Sequence, residues 1–68
     1  MLFKYNDGHT TYILQSTQPI DVDNIDYIND ITEDDDMCVC YMQDGKSIIP
    51  MTVMAYEAST EEPRIEVL

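Results

Sequence analysis

Positive charge is what this sequence has least of. Lys4, Lys46 and Arg64 are its three basic residues, and none lies between the first two. So few cations cannot neutralise a phosphate track, which excludes direct nucleic-acid binding. Glycine is nearly as scarce: Gly8 and Gly45 leave no room for a glycine-rich phosphate loop. His9 is the only histidine, and it sits beside a turn, so a nucleophile–histidine triad has no buried base to use. The chain is also too short to build a deep cleft around paired carboxylates, and no enzymatic activity is expected. Cysteine is limited to Cys38 and Cys40. A disulfide between them would close a very small loop and constrain the unfolded chain little, which points to a reducing, intracellular setting. On a strand they fall on one face and read as core residues, because a metal site would need more ligands than His9 supplies. No cofactor or metal is expected. No apolar run approaches the roughly 18 residues of a membrane span, nor the core of a signal peptide after Met1. The expectation is a cytoplasmic protein with no membrane partner.

Acidity is what the chain has in excess: 14 acidic side chains against 3 basic ones, a net charge of −11. Eight of the acids fall within one stretch, namely Asp21, Asp23, Asp26, Asp30, Glu33, Asp34, Asp35 and Asp36. Such a chain repels itself and nucleic acid, stays soluble, and attracts basic surfaces. The stretch does not have the spacing of a calcium loop. Counting from Asp21 puts Ile25 at the fifth position and Asp26 at the glycine position; counting from Asp30 puts Asp35 at the glycine position and Tyr41 at the closing glutamate.

With 44% hydrophobic residues the chain is too apolar for a disordered acidic tail. At 68 residues it forms one domain, and a chain of this size buries only about 60% of its unfolded surface. Residues 1–15 read as a hairpin around Asn6-Asp7-Gly8-His9, where Asp-Gly supplies a positive φ. A polar turn follows from Gln15 to Gln18, and Pro19 bars a central strand. Val22, Ile25, Ile28 and Ile31 recur every third residue, with Tyr27 four before Ile31, which predicts a short helix over 21–31 with Asp21 or Asp23 as N-cap. Glu33 to Asp36 reads as an exposed connection. Met37 to Met42 is apolar on both faces, which suits a central strand. Asp44-Gly45 marks a second turn before a strand over 47–56, in which Pro50 imposes a break, a bulge or an edge. A polar turn from Ala58 to Pro63 precedes a last short strand over 64–68. The predicted class is α+β: an antiparallel sheet of four or five strands with one short helix on a face, in the order β-β-α-β-β-β.

Binding through charge and apolar contact together is the function this composition favours. Carboxylates along an exposed edge imitate the phosphates of a duplex, and a protein built to hold DNA then holds the acidic chain instead. Coulomb attraction speeds the encounter, and buried apolar anchors slow dissociation. The expected contacts are Asp26, Asp30, Glu33, Asp34, Asp35 and Asp36, and the expected partner is a host nucleic-acid-binding protein with a basic surface. The alternative is a homo-oligomer, for instance a homodimer, pairing through a sheet edge or a methionine patch. Met37, Met42, Met51 and Met54 are more than so small a core readily hides, so one or two should remain exposed.

One segment resembles a known family. Ala55-Tyr56-Glu57-Ala58-Ser59-Thr60-Glu61-Glu62 is similar to a stretch of the phage uracil-DNA glycosylase inhibitors, small acidic proteins that mimic DNA. Upstream, Tyr12-Ile13-Leu14-Gln15-Ser16 followed by an acidic segment and an apolar strand keeps a similar order. The resemblance implies a DNA mimic of phage or mobile-element origin, aimed at a DNA-binding enzyme. The sequence departs from the family where Gln15-Ser16-Thr17 replaces a glutamate-bearing strand, and it has no room for the family's second helix. No binding residue is carried over.

Overall fold

The computed structural model describes residues 1–29 and 37–68. Six strands are present: β1 (Leu2–Asn6), β2 (Thr10–Ser16), β3 (Ile25–Ile28), β4 (Met37–Met42), β5 (Ile48–Ala58) and β6 (Arg64–Val67). They form one antiparallel sheet in the order β3-β4-β5-β2-β1-β6. The sheet curls into a half-barrel, bringing the 3-10 turn before β3 (Val22–Asn24) up against β6 at the far edge.

Both tight turns form where Asp-Gly stands. Gly8 has φ 95° and Gly45 φ 73°, conformations that disfavour any residue with a Cβ. The preceding aspartates do the same work in each turn. Asp7 Oδ1 accepts from His9 N and Thr10 N at 2.8 and 2.7 Å, and Asp44 Oδ1 accepts from Lys46 N and Ser47 N at 2.8 and 2.7 Å. Asn6, buried at the end of β1, donates from Nδ2 to Ser59 Oγ and Glu61 Oε2, which ties the β5–β6 connection to the first hairpin.

The core fills the concave face. Register places Ile28, Cys40 and Ile49 in one row across β3–β5, and Cys38, Met51 and Ser16 in the next. Phe3, Leu14 and Val53 form a third row and Tyr5, Tyr12 and Tyr56 a fourth. Phe3, Leu14, Cys40 and Met51 are fully shielded from solvent. Two irregularities bend the sheet. In β5 the pairing runs from Val53 opposite Leu14 to Ala55 opposite Ile13, which leaves Met54 as an extra residue. In β3 Ile25 faces Met42 and Tyr27 faces Tyr41, so Asp26 is the extra one. Pro50 lies beyond the last residue of β2, since Ser16 already faces Met51, and at that point β5 has only β4 beside it.

The structure corrects the α+β expectation. The sheet has six strands, and the described part of the predicted helix is a three-residue 3-10 turn running directly into β3. The N-cap was legible, because Asp21 Oδ1 does accept from Asp23 N. What failed was the inference from spacing. Ile25 and Ile28 share the core face not because a helix repeats every 3.6 residues but because the Asp26 bulge inserts one residue into a period of two. Isoleucine, asparagine and aspartate are also weak helix formers, so propensity did not oppose the strand.

Candidate binding surface

The described acids form two groups. Asp7, Glu57, Glu61, Glu62 and Glu66 accompany the first hairpin, the end of β5 and β6. Of these Glu61 and Glu66 meet cations, with Lys4 Nζ 4.0 Å from Glu61 and 3.8 Å from Glu66 and Arg64 3.3 Å from Glu66, while Asp7, Glu57 and Glu62 make no ion pair among the described residues. The second group is Asp21, Asp23 and Asp26 on the 3-10 turn and β3, with Asp44 in the neighbouring β4–β5 turn, which is joined to the 3-10 turn by Gln43 N donating to Asn24 O at 2.9 Å. All four are exposed, and none makes an ion pair among the described residues. Lys46, in the same turn as Asp44, is the one cation there. Asp44 is occupied locally: hydrogen bonds from the Ser47 hydroxyl, the Ser47 amide and the Lys46 amide hold its carboxyl below the usual range. Asp21 is partly engaged, accepting from Asn24 Nδ2 at 2.6 Å. Asp23 and Asp26 accept no side-chain or backbone hydrogen bond among the described residues, and the bulge turns Asp26 out of the ladder.

Of the acids expected to carry contacts, Asp26 is thus exposed on the edge strand β3, whereas Asp30, Glu33, Asp34, Asp35 and Asp36 lie outside the described residues. Asp21, Asp23 and Asp44 join Asp26 at the corner. The hairpin group carries acids of its own, and the half-barrel brings the 3-10 turn against β6, which bears Glu66.

Beside this corner the convex face is apolar. Register puts Tyr27, Tyr41 and Ile48 in one row across β3–β5 and Val39 with Pro50 in the next. The two tyrosine rings stack with centroids 4.4 Å apart, and Ile48 and Tyr27 expose 57% and 52% of their surface. Sequence reasoning missed this block, although its signal was present. A strand apolar on both faces was read as central, and β4 is central, but this sheet has a single layer and covers only its concave side. Val39 and Tyr41 therefore stand outward. The methionines divide in the expected way: Met51 fills the core while Met37 and Met54 are exposed.

Cys38 and Cys40 are free thiols in the core. Burial, then the proximity of Cys40, raises the Cys38 thiol to about 11, and burial raises Cys40 as well, so both stay protonated and poorly nucleophilic at neutral pH. Among the described residues no cluster of three or more His, Cys, Asp or Glu is placed to hold a metal ion, and no helix is long and apolar enough to cross a membrane. No protein-family model matches the chain, and no curated protein or solved structure matches it significantly.

Proposed function

We propose that this protein is a non-enzymatic, acidic binding module that occupies the basic nucleic-acid-binding surface of another protein. The observation that carries the reading is the corner of Asp21, Asp23 and Asp26: exposed carboxylates without ion-pair partners among the described residues, set beside an exposed apolar block. Free carboxylates attract a cationic surface over a Debye length of about 8 Å at physiological salt, and apolar side chains next to them hold what has been attracted. In sequence the acids continue through Asp30, Glu33, Asp34, Asp35 and Asp36, which lie outside the described residues. The resemblance at Ala55 to Glu62 points to the same class of protein, but those residues belong to β5 and the turn after it, so the reading rests on the corner instead.

Self-assembly through a sheet edge is the weaker reading. Both edge strands are four residues long; β3 is interrupted by the charged bulge residue Asp26, and β6 alternates Arg64 and Glu66 with apolar residues. Short, charged and bulged edges resist pairing with another strand.

The test is displacement. The immobilised protein is exposed to a bacterial lysate, and the captured proteins are challenged with duplex DNA at constant ionic strength. Release of nucleic-acid-binding proteins by DNA supports the proposal. Capture that excess DNA does not reverse, or capture only of proteins without a basic surface, contradicts it.

A further inference from the structure

The acids explain attraction, and the apolar block of the convex face is where retention has to be made. Tyr27, Tyr41 and Ile48 line up across three strands, and Val39 and Pro50 extend the block by a second row. Tyr27 and Ile48, each more than half exposed, and the partly buried Tyr41 stacked on Tyr27 form a contiguous apolar surface on an otherwise very acidic chain, of the kind that marks an interaction site. Tyrosine and isoleucine held on neighbouring strands lose little further freedom on binding, which suits them as anchors.

Charge selects the occupant. Asp26 immediately precedes Tyr27, and Asp21 and Asp23 lie on the turn leading into the same strand. A second copy docking on this block would bring together two chains of net charge −11, each with Asp26 beside the contact. Nucleic acid and anionic lipid surfaces are repelled for the same reason. The bulge at Asp26 spoils the outer edge of β3 as a template for strand addition, so the occupant lies on the face of the sheet. We propose that the block of Tyr27, Tyr41, Val39, Ile48 and Pro50 receives a cationic segment of a partner protein, whose aliphatic or aromatic side chains rest on the block while its Lys or Arg side chains meet Asp21, Asp23 and Asp26. This rests on the reading of the chain as an acidic binding module, and adds where the apolar part of the contact is made.

Two synthetic peptides of equal positive charge test it, one alternating lysine with leucine and the other lysine with serine. Binding is read by fluorescence anisotropy, and the contacted residues by amide chemical-shift mapping. The lysine–leucine peptide is expected to bind about tenfold more tightly or better, with shifts centred on residues 25–28, 39–41 and 48–50. The double variant Ile48→Thr with Tyr27→Thr should lose that advantage, keep the affinity for the lysine–serine peptide, and unfold cooperatively in urea. Equal affinities of the two peptides, an advantage that survives in the double variant, or shifts confined to the first hairpin overturns the inference. So does a dimer at high salt that the double variant abolishes, because the block then belongs to a second copy. The outcomes separate the two proposals: failure of both peptides to bind defeats the acidic module itself, whereas binding of both without a leucine advantage defeats only the apolar half.

Discussion

Ile48 and Ile49 are neighbours in β5 that point to opposite faces, which makes a matched pair for testing the sidedness of the sheet. Ile49 is 5% exposed and packs in the row with Cys40 and Ile28, whereas Ile48 is 57% exposed on the convex face. Replacing each with threonine keeps the β-branch and the strand preference and changes only what the face demands. At Ile49 the change removes buried apolar volume, about 0.5–1.5 kcal/mol by analogy with Ile→Val. It also buries a hydroxyl, at a further cost of about 1–3 kcal/mol where no partner is found. Ile49→Thr should therefore cost roughly 1.5–4.5 kcal/mol. At Ile48 the hydroxyl meets water and the cost should stay within about 0.5 kcal/mol. A chain of this length has a total stability of about 3–10 kcal/mol, so the first variant is badly weakened and the second is not. Urea unfolding followed by circular dichroism reads both. With a slope near 1 kcal/mol/M, Ile49→Thr should move the midpoint down by about 1.5–4.5 M and Ile48→Thr by less than about 0.5 M. Equal losses at the two positions would show that both faces are buried and would refute the single-layer half-barrel.

The bulge and the core thiols give two further tests. Deleting Asp26 removes the extra residue of β3 and leaves Ile25 and Ile28 two residues apart, so regular alternation keeps both on the core face and the cost should stay below about 1.5 kcal/mol, the least that expelling one isoleucine would cost. Asp26→Asn should cost almost nothing, and a deletion midpoint lowered by the loss of a buried isoleucine would deny the bulge its role. The Cys38 thiol sits above its ordinary value of 9.0, at about 11, so the native state keeps a proton that the unfolded chain releases. Stability from this group is complete below pH 9 and is lost as pH rises toward 11. Urea midpoints measured across that window in reductant should fall more for the wild type than for Cys38→Ala, and parallel curves would contradict the assignment.

Much of the framework was legible in the residues. Asp7-Gly8 and Asp44-Gly45 marked turns whose positive-φ glycines and side-chain-capped amides both form, and five strands lie close to their expected positions. Turn chemistry is local, so it survives any tertiary context. The segment after Asp21 was misread because a spacing of three fits two structures, a helix or a strand with one inserted residue, and only pairing with β4 decides between them. For the candidate site the sequence names Asp26 as a contact, whereas Asp21 and Asp23, assigned there to a helix N-cap, join it only through the fold. The apolar half could not be located, because the spacing places Tyr27 on a helix and a strand apolar on both faces reads as core on both. Placing Tyr27 beside Tyr41 and Ile48 requires the order β3-β4-β5, which is a long-range property of the sheet.

The proposed attraction to a basic partner rests on the carboxylates of Asp21, Asp23 and Asp26. Exchanging all three for asparagine tests it with little structural disturbance, because asparagine at position 21 still caps the turn. The measurement is the dissociation constant for a partner released by DNA, followed from about 0.05 to 0.3 M salt. The account predicts that the triple variant loses about 0.6–3 kcal/mol of binding at the lowest salt, taking roughly 0.2–1 kcal/mol for each exposed charge, that its affinity falls less steeply as salt rises, and that the two lines converge. Parallel lines of equal affinity would contradict it.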